Sequence, residues 1–156
     1  MSDTQDTTAE SKGTADASAV RRRHMRFGWV SLLVYLTMGA GLEVLHGFKS
    51  DWYLSASNDY RRLLLTLAHA HGTLLALVHL AFAAGLPSLS TLSARSRALA
   101  SACLCASSIL LPLGFLIGGL FLHGSDPGLG VLLVPVGAIL LIVGVALIAK
   151  AAWRSA

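Results

Sequence analysis

The chain has 156 residues, of which 54% are hydrophobic and 13% are charged, whereas an ordinary globular protein carries roughly 25% charged residues. This composition, with a mean hydropathy of +0.67, excludes a typical water-soluble domain. Lys and Arg exceed Asp and Glu to give a net charge of +4. The basic residues flank long apolar runs instead of forming the patch or stripe of a nucleic-acid-binding surface. We therefore expect no nucleic-acid partner.

The N-terminal region, 1–20, is rich in Ser, Thr, Ala and acidic residues and lacks aromatic residues, which predicts a disordered tail. The basic run Arg21–Arg26 then leads into an apolar segment, 27–45, which opens a membrane domain that covers 21–156. A signal peptide is the alternative for this segment. The apolar stretch is longer than the roughly 7 to 15 residues of a signal core, and no small-residue cleavage site follows it. The pattern therefore favours a first spanning helix.

Three further apolar segments complete the membrane domain. The sequence predicts spanning helices over 63–86, 98–122 and 129–149, each long enough for a hydrocarbon core of about 30 Å. The second segment ends before Pro87, because proline cannot continue the helical hydrogen-bond ladder. The predicted fold is all-α, an integral membrane four-helix bundle.

The distribution of basic residues predicts the orientation, since cytoplasmic loops carry an excess of Lys and Arg. An N-in arrangement places nine of the twelve Lys and Arg residues inside, and both termini are then cytoplasmic. The outer three are Lys49, Arg61 and Arg62. We expect a multi-pass protein of the bacterial inner (plasma) membrane, with the lipid bilayer as its immediate partner.

Small residues indicate how the helices associate, because helices in lipid pack where their backbones can approach closely. Gly114, Gly118 and Gly119 mark one face of the third span, and Gly137 and Gly144 mark one face of the fourth. This pattern predicts an antiparallel hairpin of the third and fourth spans. It also predicts self-association, as a homo-oligomer or within a membrane complex.

The two cysteines, Cys103 and Cys105, point about 200° apart on a helix and cannot bridge each other. Their apolar surroundings favour inert buried thiols. A single C-x-C in a spanning helix is a weak indication of a metal site.

Histidine is unusually frequent for so apolar a chain, with six residues. The predicted topology places four of these histidines and one acidic residue in a single layer of the outer half of the membrane. The members of this layer are Glu43, His46, His69, His71 and His123. Ionisable groups at membrane depth usually face a bundle interior, a partner or a water-filled cavity, so the layer is the candidate functional site.

The ligand types in this layer limit the cofactor. Glu43 and His46 form one E-x-x-H pair, whereas di-iron four-helix bundles use two such pairs and two further Glu residues. A single transition metal or a haem b held mainly by imidazoles fits better. We predict His69 or His71 as the principal cofactor ligand, and Glu43, His46 and His123 as metal-binding or substrate-facing groups. His69 and His71 differ by about 200° around the helix, so they cannot both face one compact site.

Structural explanations compete with this interpretation. His46 and His123 each precede a glycine at the C-terminal end of a helix. There a histidine interacts favourably with the helix dipole, and the glycine caps the helix. Glu43 can pair with Lys49 or an arginine near the outer surface. His79 lies deeper in the second span and is either a core histidine hydrogen-bonded to a neighbouring helix or part of an inner site or proton relay.

Two families resemble parts of this sequence. The run His69-Ala70-His71-Gly72 at the outer start of a spanning helix resembles the haem-ligand region on the second helix of the catalytic subunit of haem-copper oxidases. The four-helix layout, with Ala68-His69 opening the second helix and a Gly-rich hairpin closing the chain, is similar to small membrane isomerases of the styrene oxide isomerase and hydroxylaminobenzene mutase type. In styrene oxide isomerase a histidine near the start of the second helix binds haem b between subunits. The resemblance therefore implies His69 as a haem ligand in an oligomer.

The predicted function is that of a haem- or metal-binding membrane protein with redox or isomerase activity. The alternative is a non-enzymatic accessory, transport-related or structural membrane subunit, in which the histidines handle protons or cap helices. Convergence of the histidines on a common point would favour the first function. Helix rotation decides that convergence, and the sequence pattern does not specify it.

Overall fold

The computed structural model describes residues 3–55, 59–122 and 126–155, with side chains from Thr14 onward. Its five α-helices are α1 (Asp3–Gly47), α2 (Asp51–Leu54), α3 (Asp59–Gly85), α4 (Ala94–Leu120) and α5 (Leu133–Ser155). Short 3-10 helices cover Leu86–Ser88 and Leu129–Leu132. The described part of the chain is therefore all-α, as the sequence predicts.

Within the described residues, four helical spans are long and apolar enough to cross a membrane. They are Thr14–Gly47, Asp59–Ser88, Ala94–Leu120 and Leu129–Ser155, with 34, 30, 27 and 27 residues. Only 6% of the most apolar stretch of α1, and 11% of that of α5, is buried inside the bundle. Large apolar side chains such as Leu33 and Ile142 are instead exposed. A surface of this kind suits lipid tails, so the structure supports a multi-pass membrane protein. The cytoplasmic location of the termini stays a prediction.

The helix bounds differ most from the predicted ones at α1, which runs unbroken from Asp3 to Gly47, whereas the predicted first span covers 27–45. Within this extension the Arg22 guanidinium donates to Ser18 Oγ at 3.1 Å, one helical turn away. The stretch contains no proline, and its Ala, Arg and Met residues are good helix formers. This extension also contains His24, which is buried inside the bundle.

The ends of α3 and the start of α4 lie closer to the predicted helix bounds. α3 ends at Gly85 and a 3-10 turn takes in Pro87, because proline has no N–H to donate. α4 begins four residues earlier than predicted, since the Ser93 hydroxyl accepts a hydrogen bond from the Ser96 N–H and caps the helix.

Consecutive long helices pack against each other as antiparallel neighbours, α1 on α3, α3 on α4 and α4 on α5. A Cβ atom added at Gly137 would lie 2.8 Å from the backbone nitrogen of Leu111, and one at Gly144 would lie 3.3 Å from Cys103 Cβ. Both glycines thus admit close approach of α4, and the predicted hairpin is confirmed. Gly119 instead faces Leu65 of α3, so the small residues of α4 serve two neighbours.

The bundle has two halves along its length. The terminal half contains residues 14–30 of α1, 76–85 of α3, 94–108 of α4 and 141–155 of α5. The opposite half contains residues 35–47, 59–72, 111–120 and 129–137. An apolar cluster of Phe82, Leu86, Leu92, Leu104 and Ala151 forms the core of the terminal half and lies beside the polar side chains described next.

Candidate metal centre

The terminal half buries several polar side chains completely or almost completely. His24, His79, Ser101 and Ser107 are 0% exposed, and Ser108 is 6% exposed. Burying such groups in apolar surroundings is costly unless each finds a hydrogen-bond partner. The arrangement of partners therefore decides what this interior can do.

The two histidines contact each other and two serines. His24 Nδ1 lies 2.6 Å from His79 Nδ1, His24 Nε2 lies 2.6 Å from Ser101 Oγ, and His79 Nε2 lies 2.9 Å from Ser108 Oγ. Each of the four ring nitrogens thus has a partner. The imidazole rings stack with centroids 4.6 Å apart, and Phe27 and Phe82 pack against them.

Local sequence explains how three helices supply this group. Ser101 and Ser108 are seven residues apart on α4 and so lie two turns apart on one face. Gly28 follows His24 by one helical turn on α1. A Cβ atom there would lie 2.7 Å from the Leu80 side chain, so glycine lets α1 approach α3 closely enough for the two histidines to meet.

Arg23 and Cys105 border the histidine pair. The Arg23 guanidinium donates a hydrogen bond to Ser101 Oγ, which brings a positive charge to the edge of the group. Cys105 lies one turn after Ser101 on α4 and is half-buried. Its Sγ and one ring nitrogen from each of His24 and His79 all lie within 4.8 Å of one another.

Two imidazoles and one thiol form a donor set that can hold a metal ion. Zinc and copper accept nitrogen and sulfur ligands of these types. Among the side chains of residues 14–55, 59–122 and 126–155, this is the one group of three or more potential metal ligands close enough to share an ion.

The hydrogen-bond pattern has a direct chemical consequence. A neutral imidazole has one N–H and one bare nitrogen. If both histidines donate Nε2–H to the serines, two bare Nδ1 atoms face each other, and a cation between them removes their repulsion. If one histidine carries its proton at Nδ1, it donates to the other ring and its own serine donates to its Nε2. The pair therefore suits either a metal ion or a shared proton.

The residues that the sequence singles out lie in the opposite half, where the structure places them on different surfaces. Glu43 and His46 are exposed and line one depression of about 550 Å³. Glu43 also lines a smaller pocket of about 270 Å³ with His69. His123 lies outside the described residues.

His69 and His71 face different helices. His69 Nδ1 donates to the Tyr35 carbonyl oxygen of α1 at 2.8 Å. His71 Nδ1 donates to the Leu67 carbonyl oxygen of its own helix at 2.8 Å, and its ring lies 5.0 Å from that of Phe115 on α4. A hydrogen bond from Nδ1 to a carbonyl oxygen orients the imidazole and leaves Nε2 as the atom that could bind a cofactor. The structure brings Glu43 together with His46 and with His69, and it separates His69 from His71.

Of the three residues that could hold a metal ion, sequence reasoning identified His79 and missed His24 and Cys105. His79 is a predicted candidate for an inner site. His24 instead counts as part of the basic run Arg21–Arg26, and Cys105 as an inert thiol. Two sequence features could have indicated this site. Ser101 and Ser108 share one face of α4, and a first helix extended by one turn places His24 on the same face as Gly28.

No protein-family model, curated protein or solved structure matches the chain. The resemblances to small membrane isomerases and to haem-copper oxidases therefore stay predictions. The assignment of function rests on the geometry of the buried group.

Proposed function

We propose that this membrane protein binds a single transition-metal ion, of the zinc or copper class, through His24, His79 and Cys105. The observation that carries the proposal is the buried contact between the two Nδ1 atoms, with a thiol in reach of both rings. Ionisable side chains inside a membrane span usually pair with one another or mark a path for ions or protons.

The dimensions of the group are close to those of a metal centre. Tetrahedral coordination at normal bond lengths separates two nitrogen ligands by about 3.4 Å, and nitrogen from sulfur by about 3.6 Å. The Nδ1 atoms lie 2.6 Å apart and would have to separate by less than about 1 Å. The three ligand atoms lie within 4.8 Å of one another, so the separations differ from these values by only about 1 Å.

The serines support the same interpretation. Metal-binding histidines usually donate their second N–H to an oxygen, which holds the ring in the orientation that the metal requires. Ser101 Oγ and Ser108 Oγ are placed for this role at the two Nε2 atoms. Both serines are buried, so these bonds do not compete with water.

Cobalt(II) titration of the detergent-purified protein tests the proposal. Cobalt substitutes for zinc, and a thiolate ligand gives it a charge-transfer absorption band. We expect a saturable thiolate-to-cobalt band with one ion per chain. Cys105→Ser should lose the band. Cys103→Ser is the matched control, since Cys103 lies on the same helix but packs against Gly144 of α5, and it should keep the band.

Two results would contradict the proposal: cobalt binding without a thiolate band, or equal loss of the band in both cysteine variants. Absorption spectra of the same samples without added cobalt also test the predicted haem. A Soret band that survives Cys105→Ser and disappears in His69→Ala would move the cofactor to the opposite half.

Proton transfer within the bundle is a second candidate function. The chain Ser101–His24–His79–Ser108 can carry its hydrogen bonds in either direction, since each hydroxyl can donate or accept. A site built for protons alone has no need of the thiol. Wild-type protein that binds cobalt no better than Cys105→Ser would favour this function. The predicted redox or isomerase activity stays a prediction.

A further inference from the structure

A groove beside the buried group runs between the first turns of α4 and the adjacent part of α1. Its volume is about 500 Å³, and Arg23, Arg97, Asp16 and Cys105 are among its lining residues. Cys105 thus belongs both to this groove and to the group that can hold a metal. The groove therefore joins the surface of the terminal half to one of the three proposed ligands.

Among the described residues that line the groove, the positive charges outnumber the negative ones. Two arginines, Arg23 and Arg97, line it together with one carboxylate, Asp16. The first turn of α4 also lies there and adds the partial positive charge of a helix N-terminus. Arginine is the side chain best suited to bind carboxylates and oxyanions, because its planar guanidinium donates several parallel hydrogen bonds. The charge of the groove favours an anion.

The floor of the groove is made of small side chains. Ala94, Ala98 and Ala102 follow each other at one-turn intervals on α4 and lead to Cys105. A helix rises 1.5 Å per residue, so this path extends about 16 Å from the start of α4 to Cys105. Alanines leave room for a small molecule to approach the thiol.

The proposed metal has an incomplete set of protein ligands. Zinc and cobalt take four ligands in most sites, and three protein ligands leave one position for a molecule from solution. A divalent ion bound by one thiolate and two neutral imidazoles also keeps one positive charge, which is costly in an apolar interior. One anion would fill the fourth position and neutralise that charge.

Among the three proposed ligands, Cys105 is the accessible one. His24 and His79 are 0% exposed, and their Nε2 atoms contact serines, whereas half-buried Cys105 lines the groove. We infer that the groove between α1 and α4 binds a small anion, of the carboxylate or inorganic-anion class, which binds the metal at Cys105 as its fourth ligand. This inference rests on the proposed metal-binding function.

Azide titration of the cobalt-loaded full-length protein tests the inference, since azide is a small anion that changes the visible spectrum of cobalt when it binds. We expect a saturable shift of the cobalt bands. Arg97→Gln should weaken azide binding by more than about threefold, because it removes one positive charge from the wall of the groove, while cobalt affinity stays unchanged. Acetate should compete with azide.

Arg95→Gln is the matched control, because it removes the same charge from the same turn of α4 at a residue that does not line the groove. We expect azide affinity in this variant to stay within about twofold of wild type, as screening weakens charges at a distance. Equal weakening in both arginine variants, or cobalt bands that azide does not alter, would overturn the inference and leave metal binding intact. Failure of wild-type protein to bind cobalt would overturn the metal-binding function and this inference together.

Discussion

The two halves of the bundle use histidine in different ways. In the terminal half, His24 and His79 are fully buried and contact each other, with Cys105 beside them. In the opposite half, His46 is exposed, and His69 and His71 each donate to a backbone carbonyl oxygen. Histidines at a similar depth in the membrane therefore do not by themselves form a site. A site also requires that the rings face one another where water is excluded.

Helix packing accounts for this contrast. In the terminal half three helices contribute. Gly28 lets α1 approach α3, and Ser101 and Ser108 of α4 contact the two histidines. In the opposite half, side chains of one helix fill the glycine positions of the next. The Tyr35 ring lies against Gly72, and the His69 ring lies against Gly39, so closely that a Cβ atom at either glycine would overlap the ring. His69 thus packs in a notch of α1, whereas His24 and His79 point at each other.

The largest expected effect comes from removing one proposed ligand. We expect His79→Asn to weaken cobalt binding by more than about 100-fold, because even the loss of a group that only orients a ligand costs 10- to 100-fold. His71→Asn, which alters the opposite half, should change cobalt affinity by less than about threefold, since its ring contacts Phe115 and its own helix. Isothermal titration of both variants measures the difference. The reverse order of effects would place the site in the opposite half.

A smaller effect is expected from the hydrogen bonds that orient the rings. Ser108→Ala removes the partner of His79 Nε2 and should weaken cobalt binding roughly 10- to 100-fold while keeping the thiolate band. Ser107→Ala is the neighbouring control, because the Ser107 hydroxyl donates to the Leu104 carbonyl oxygen of its own helix. Cobalt titrations of the two variants should differ by at least a factor of about five. Equal affinities would show that Ser108 does not orient the histidine.

The opposite half should respond mainly in stability. Gly72→Ala forces a methyl group against the Tyr35 ring and should lower the free energy of unfolding by about 1–3 kcal/mol. Gly41→Ala is the matched change on α1, and its Cβ would meet no atom within 4 Å. We expect Gly41→Ala to leave stability unchanged or to raise it by up to about 1 kcal/mol, since alanine favours a helix interior over glycine. Thermal unfolding in detergent compares the two, and cobalt affinity should be unchanged in both. Similar melting temperatures would mean that Tyr35 moves aside without cost.

Much of the fold could be predicted from sequence, and less of the site. Pro87 correctly marks the end of the second span, and Gly137 and Gly144 correctly indicate the face that meets α4. The sequence pattern does not predict where the first helix begins, because the polar and basic residues before Phe27 suggest a tail and a charged anchor. His24 was hidden in that basic run, since neighbouring arginines at a membrane boundary are usually exposed. Its burial depends on contacts with α3 and α4 that a local pattern does not contain.

The sequence by itself determined the all-α membrane architecture, the four spans and the antiparallel pairing of the last two. These properties depend on hydropathy and small-residue spacing along single helices, which do not change when a helix rotates about its axis. Only the tertiary structure decided which polar side chains meet. The meeting of His24, His79 and Cys105 depends on the rotation and close approach of three helices, and residues far apart in the chain set that packing jointly.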